Sequence, residues 1–415
     1  MNAAIPNADT DTPADTAAFD YDVTIVGAGP VGLALAGWLA RRSATQALSV
    51  ALIDSREPDD SAADPRAIAV SQGSRTLLEA LAWPKDATQI DRIHVSQRSH
   101  FGRTLIDRAD YGLPALGYVA RYGSIVHTLA QAVRATPVHW LHHTHALAPV
   151  QEHDGVTLPI EDHHVSRNLR TRIVVNAEGG VFRPRDLQGD GDAATAPAPA
   201  DKWSRDYGQT ALVGIVTVSA PQPHVAWERF TNEGPIALLP MGGVRGADYA
   251  LVWCSAPHEA ERRAQLSDAQ FLAELETAFG ARMGHFTQIH GRASFPLGLT
   301  ATDALARGRV AVIGNAAQTL HPVAGQGLNL GLRDAHALAD ALAQHGATPL
   351  ALADFARRRS FDRRMTIGAT DTLARLFTVD FAPLATLCGL ALTALEFVPP
   401  VKTALARQMM FGQRS

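Results

Sequence analysis

Apolar residues come in short runs near both ends of the 415-residue chain and alternate with polar ones through its middle. Tyr21-Asp22-Val23-Thr24-Ile25-Val26 predicts a strand, and apolar positions from Leu33 to Arg42 fall at helical spacing. Ser49-Val50-Ala51-Leu52-Ile53 predicts a second strand, and Arg172-Ile173-Val174-Val175-Asn176 another that ends in a tight turn. Val310-Ala311-Val312-Ile313 has the small and branched residues of a parallel strand buried on both faces. From Leu328 the period becomes helical again (Leu330, Leu332, Ala335, Leu338, Ala339, Leu342), to about Ala343. Between these ends, 209–219, 237–240 and 249–255 alternate or run apolar with β-formers and predict a largely antiparallel sheet. The fold expected is α/β: a Rossmann-like domain, an inserted mainly antiparallel β domain and a C-terminal helical region. The division expected is a disordered tail over 1–20, a discontinuous nucleotide-binding domain over 21–75, 117–187 and 295–372, a substrate domain over 76–116 and 200–294, and C-terminal helices over 373–415.

Two glycine corners carry the chemistry. Gly27-Ala28-Gly29-Pro30-Val31-Gly32 joins the first strand to its helix, and the next strand ends in Asp54, 22 residues after Gly32. In that β-α-β setting Gly27 makes the turn, Gly29 admits a pyrophosphate, Gly32 lets helix and strand pack, and Asp54 takes ribose hydroxyls. An acid at Asp54 suits the free 2′-hydroxyl of FAD or NAD. Arg66 of Pro65-Arg66-Ala67-Ile68 is placed to pair with the phosphates. The second corner is Gly314-Asn315-Ala316-Ala317, then His321-Pro322-Val323-Ala324-Gly325-Gln326-Gly327-Leu328-Asn329. Glycines directly before a helix admit close backbone approach and leave N–H groups at its positive end, so this loop is built for something negative or electron-rich.

A net charge of −4 offers no basic field for nucleic acid. Cys254 and Cys388 are isolated and fit a reducing compartment without metal-ligand spacing. Residues 1–18 lack an apolar signal core, and the apolar run 381–395 is too short to span a membrane. Residues 138–145 hold His139, His142, His143 and His145, with His163 and His164 further on. On a strand the adjacent His142 and His143 point to opposite faces, and no metal is expected. Arg357-Arg358-Arg359 and Arg363-Arg364 read as a solvated face or as a membrane-surface contact.

Taken together, Gly27-x-Gly29-x-x-Gly32, Arg66-Ala67-Ile68-Ala69, the turn at Glu178-Gly179, and Gly314-Asn315-Ala316-Ala317 followed by His321-Pro322-x-Ala324-Gly325-Gln326-Gly327-Leu328-Asn329-Leu330-Gly331 resemble the single-component flavin aromatic hydroxylases of the p-hydroxybenzoate hydroxylase type. Within them the chain resembles the ubiquinone-biosynthesis hydroxylases from Tyr21 onward. Asp206-Tyr207-Gly208-Gln209-Thr210-Ala211-Leu212 and Glu228-Arg229-Phe230-Thr231-Asn232-Glu233-Gly234-Pro235 are similar to the branch acting on 2-polyprenyl-6-methoxyphenol. The resemblance implies FAD, with Gly27, Gly29, Gly32 and Asp54 on the ADP half and Arg66 on the pyrophosphate. Gly314 and Asn315 would lie by the phosphate and ribityl chain, Pro322 would line the flavin, and Gly325, Gln326, Gly327, Leu328 and Asn329 would offer amides to its N1/C2=O edge. It further implies O2 and a prenylated phenol as co-substrates, a flavin C4a-hydroperoxide, and NAD(P)H as reductant without a second Rossmann fingerprint, a separate reductase or ferredoxin being the alternative electron source. A cytoplasmic protein peripheral on the inner membrane, among other ubiquinone-biosynthesis proteins, is expected. His321 is the candidate proton handler, set against a structural hydrogen bond. Phe230, Leu238, Pro240 and Trp253 are expected to roof the substrate pocket. One departure stands out: relatives carry Asp-Gly-x-x-Ser where this chain reads Glu178-Gly179-Gly180-Val181-Phe182. A non-catalytic scaffold is therefore one alternative, and a prenyl reductase or halogenase of the same fold is another.

Overall fold

The computed structural model describes residues 18–64, 66–98, 103–162, 165–179, 202–322 and 325–376, together with 403, 407, 408 and 410–412. Residues 1–17 of the expected tail, positions 180–182 of the turn that departs from the relatives' pattern, His163 and His164, and most of the C-terminal helices expected over 373–415, with the apolar run 381–395, lie outside these residues.

The chain opens as a parallel β-α-β unit, β1 (Tyr21–Val26), α1 (Pro30–Arg41) and β2 (Val50–Ile53). It crosses to a small sheet with β3 (Ala67–Ser71), α2 (Gln72–Glu79) and β4 (Thr88–Ile90), then enters the large middle sheet with β5 (Arg92–Gln97) and β6 (Arg103–Asp107). It returns through β7 (Gly117–Arg121) and α3 (Tyr122–Arg134). Short strands β8 (His139–Leu141), β9 (Thr144–Ala146), β10 (Val150–Gln151) and β11 (Val156–Asp162) lead into β12 (Val165–Asn176). The middle of the chain is β13 (Lys202–Val218), β14 (Val225–Phe230), β15 (Pro235–Gly242), β16 (Asp248–Ser255), α4 (Pro257–Ala264), α5 (Asp268–Phe279) and β17 (Phe286–Thr302). The return is β18 (Ala306–Arg307), β19 (Val310–Val312), β20 (Gln318–Thr319), α6 (Gln326–His345) and α7 (Pro349–Leu376).

Among the described residues the strands form sheets of nine, eight and three. The parallel heart of the first runs β8-β2-β1-β12-β19, as the uninterrupted apolar runs of β1, β2 and β19 require. Helix α1 has no polar face: Pro30 through Leu39 are all buried between this sheet and α3 and α6. It meets α6 at unusually close range. A Cβ added at Gly331 would stand 2.8 Å from Val31 Cγ2 and 2.9 Å from Gly314 Cα, and one at Gly314 would stand 3.2 Å from Val31 Cγ2.

The eight-stranded sheet, in order β20-β17-β13-β16-β15-β14-β5-β6, has two unlike faces. Its outer face packs Leu212, Val216, Trp227, Ile236, Leu238, Leu251 and Trp253 against Phe271, Leu275 and Phe279 of α5. Its inner face carries Ala211, Val252, Cys254 and Leu297. The expected pocket roof is therefore partly inverted. Leu238 and Trp253 belong to the outer core, with Pro240 in their register, while Phe230 alternates to the inner face with Ala226 and Glu228.

Two further readings change. Residues 138–145 are not one strand. Between β8 and β9 the chain turns, His143 has φ +50°, and His142 and His143 both approach Glu57 Oε1 (3.3 and 3.4 Å) rather than facing apart. The arginine run of α7 is not a uniform basic face either. Arg359 and Arg363 are buried: Arg359 pairs with Asp334 (2.7 Å) and Asp362 (2.6 Å), and Arg363 donates to Gln318 Oε1 and Thr302 O (2.7 Å each). Arg333 of α6 completes the cluster on Asp362 at 3.0 Å. Arg357 and Arg358 pair with Asp354. Gln408 donates to Asp362 (3.0 Å), and Met410 is buried against the β4–β7 region, so the end of the chain returns to this junction. Among the described residues no helix is long and apolar enough to cross a membrane.

Candidate flavin site

The first corner divides its glycines by task. Gly27 has φ +104°, and a Cβ there would come within 2.8 Å of the Ala177–Glu178 peptide at the end of β12. A Cβ at Gly32 would stand 2.0 Å from Gly27 O, so α1 can begin where it does only with that side chain absent. Gly29 differs: an added Cβ would meet only the Tyr122 hydroxyl, at 3.6 Å. What Gly29 leaves bare is an open, shallow cleft lined by Ala28, Asp54, Arg56, Glu57 and Tyr122 among others. Asp54 frames it, one carboxylate oxygen accepting from Ala28 N–H (2.6 Å) and the other from Arg56 N–H (2.9 Å). Glu178 stands near enough that burial, and then the Asp54 charge, raise its pKa.

The second corner faces the first. Gly314 (φ +61°) turns the chain after β19 and leaves Asn315 exposed. Gly325 is the N-cap of α6 in the left-handed region (φ +58°), with no side chain capping the helix amides. A Cβ at Gly327 would meet nothing within 4 Å, and Leu328 packs on the core cluster that includes Ala28 and Val31. The loop is held by the Asn329 side chain, which accepts from Ser71 N–H (2.8 Å) and donates to Ala69 O (3.1 Å) and Gly325 O (2.7 Å). The sequence marked Asn329 for its amide; its buried carboxamide, stitching α6 to β3, carried no sequence signal.

Arg66 is held by Asp64 (2.6 Å) and stacks over Tyr122 at 4.6 Å, at the rim of the cleft. Neither Asp64 nor Tyr122 was flagged by sequence, since each acquires its position from the fold. His321 is 1% exposed, and its Nε2 lies 3.1 Å from Gln209 Oε1. Gln209 spends its amide on Glu233 O (3.3 Å), so its Oε1 accepts and His321 Nε2 donates. Burial pushes the His321 pKa down to about 4, which keeps the ring neutral. Tyr207 lies edge-on to the ring at 5.2 Å and donates to Asp371, which also takes Arg205. The bond to Gln209 thus ties the flavin loop to the inner face of the eight-stranded sheet.

The donor set fits a dinucleotide flavin. There are two corners free of side chains, a carboxylate at the end of β2, a guanidinium at the rim and an uncapped helix N-terminus. Gly29→Val should therefore lower FAD content in the purified protein while leaving the unfolding free energy of the apoprotein, read from urea titration, within about 1 kcal/mol of wild type. Gly32→Ala should instead destabilise the apoprotein by about 3 kcal/mol or more, because backbone must move. Equal losses of stability in both would contradict this division. His321 makes a separate prediction. Its folded pKa lies below the ordinary 6.5, so the unfolded chain takes up the proton first as pH falls, and stability drains away between about 6.5 and 4. His321→Gln should remove about 2 kcal/mol of wild-type pH dependence at pH 5 relative to pH 8, read from urea unfolding at each pH.

Residues 20–349 match the family model described as an FAD binding domain. The chain is 32% identical to the ubiquinone hydroxylase UbiL of Rhodospirillum rubrum, over 94% of this chain and 89% of that one. It is 30% identical to the 3-demethoxyubiquinol 3-hydroxylase of Escherichia coli, over 90% and 94%. An uncharacterized Synechocystis protein, slr1300, is 31% identical over 94% and 93%. Among solved structures, the p-nitrophenol 4-monooxygenase PnpA of Pseudomonas putida superposes with a TM-score of 0.71 at 17% identity, covering 95% of this chain and 99% of that one, and so shares the fold. With family model, relatives and both glycine corners in agreement, the chain belongs to the FAD-binding family, as a flavin-dependent aromatic hydroxylase of the ubiquinone-biosynthesis type.

Proposed function

We propose that this enzyme hydroxylates a prenylated phenol in ubiquinone biosynthesis, using O2 and electrons from NAD(P)H. The observation that carries the reading is the His321–Gln209 bond, which sets the flavin loop directly against the apolar inner face of Ala211, Val252, Cys254 and Leu297. An apolar surface beside a flavin corner suits a ring with a hydrocarbon tail and excludes water from the reacting centre. The names of the Rhodospirillum and Escherichia relatives point to the same substrate class.

Bound FAD supplies the oxygen activation; the chain supplies grip, orientation and charge. Gly27, Gly29, Gly32 and Asp54 would hold the ADP half, and Arg66, paired here with Asp64, would meet the pyrophosphate. Gly314, Asn315, Pro322, Gly325, Gln326, Gly327, Leu328 and Asn329 form the flavin side. There the start of α6, with roughly half a positive charge, favours negative charge on the reduced ring. His321, neutral and donating to Gln209, holds the loop against the eight-stranded sheet, which is the structural alternative to a proton-handling role. On α7 the exposed Arg357, Phe361, Arg364 and Met365 share one helical face, which supports a cytoplasmic protein peripheral on the inner membrane.

The test is turnover of purified holoenzyme with a 2-polyprenylphenol, NAD(P)H and ¹⁸O2. One labelled oxygen on the product ring is expected. Unlabelled product, a reduced tail or halogen incorporation would overturn the proposal in favour of another reaction on this fold, and a flavin-free protein that forms no product would favour a scaffold.

A further inference from the structure

The outer face of the eight-stranded sheet carries a second feature at its β5–β6 edge, away from the flavin loop. Register sets Arg229 of β14 beside Ser96 of β5, and Ser96 beside Arg103 of β6, so the three stand in one row on one face. Arg98 follows Ser96 by two residues on the same side, its N–H bound to Phe230 O at 2.8 Å. One row along, His94 stacks on Trp227 at 4.6 Å and meets Arg282 Nη1 at 3.2 Å. Arg282 comes from the turn after α5, and in that turn a Cβ on Gly280 would stand 3.8 Å from Arg229 Nη2. Three strands and a turn thus bring four guanidiniums around one imidazole.

Among the described residues none of the four arginines makes an ion pair. The sequence joining β5 to β6, Arg98-Ser99-His100-Phe101-Gly102-Arg103, contains no acid. Asp107 lies at the far end of the edge, opposite Arg92, Glu228 is on the inner face, and Glu276 is taken by His285 at 2.9 Å. Elsewhere on this sheet and its helices, Arg205 reaches Asp371, Arg262 and Arg263 reach Glu274, and Arg292 reaches Asp268. The unmatched cluster carries an electrostatic cost. Burial, then Arg282 and Arg98, hold the Arg229 pKa below its ordinary value. The C-terminal end of α5 offers about half a negative charge, enough to offset part of one guanidinium and not four.

We infer that this edge binds a phosphate-bearing anion, free or as a lipid headgroup. Forked donors converging from several directions match a tetrahedral, multiply charged group better than one planar carboxylate. Leu105, 41% exposed in the row of His94, supplies an apolar neighbour that a lipid would use and a free phosphate would not.

The site is tested on holoenzyme, whose own pyrophosphate site is filled by FAD, by calorimetric titration with inorganic pyrophosphate. Saturable binding at one site per chain is expected. It should weaken about tenfold or more in Arg229→Gln/Arg282→Gln and in the second pair Arg98→Gln/Arg103→Gln, each removing two guanidiniums. Flavin content and hydroxylation rate should stay at wild-type values in both. No saturable binding to wild type, or equal binding by wild type and both variants, would overturn the inference whatever the enzyme's substrate proves to be. Phosphatidylglycerol vesicles separate the sources. Pelleting that pyrophosphate competes away and that both variants lose identifies a lipid headgroup, whereas pyrophosphate binding without such arginine-dependent pelleting identifies a free phosphate.

Discussion

Val31 sits two residues into the first helix and touches the two glycines, Gly314 and Gly331, that neighbour the other corner of the site. No other residue type fits opposite it without displacing backbone or Val31 itself, since added Cβ atoms would fall 2.8 to 3.2 Å from the valine Cγ2. That contact fixes how far apart the starts of α1 and α6 can be. Because both helices begin at corners stripped of side chains, two positive helix ends come to face one crevice. A dinucleotide with phosphates in its middle and an electron-rich ring at one end is the ligand such a crevice is shaped to hold.

Holding α6 in that position is a buried charge cluster rather than apolar packing alone. Asp334 and Asp362 are matched by Arg333, Arg359 and, through Gln318, Arg363. Such clusters add little net stability over a well-packed apolar core, but removing one partner strands a buried charge and costs several kcal/mol. Their effect is on register: α6 and α7 fit together in one alignment, and Asn329 at the front of α6 then reaches Ala69, Ser71 and Gly325 together. The flavin loop is thus placed from behind by ions and from below by one carboxamide. His321 adds a tie to the eight-stranded sheet.

Much of this was legible beforehand, for reasons that differ by element. The strands at Val23, Leu52, Val174 and Ala311 announced themselves because a parallel strand buried on both faces needs an unbroken apolar run. The glycine corners were legible because their spacing is dictated by backbone geometry, which no neighbour can alter. Side-chain partnerships were not. Arg359 and Arg363 read as solvated or membrane-facing, since nothing local in the sequence says that Asp334 and Thr302 await them in the fold. Leu238 and Trp253 were assigned to the wrong face because alternation gives two faces and only the helix at Phe271 and Phe279 decides which is covered. Likewise a single residue in the left-handed region, His143, broke the expected histidine strand and brought neighbouring rings to one carboxylate.

The claim beneath all of this is that one cofactor is gripped by both corners at once. Amide hydrogen exchange on the apoprotein and on the FAD-loaded protein measures that grip directly. The account predicts that added FAD slows exchange together at Ala28 and Gly29 and at Gly327 and Leu328, with the same FAD concentration dependence at both corners. Protection confined to one corner, or rising at different FAD concentrations in the two, would contradict it.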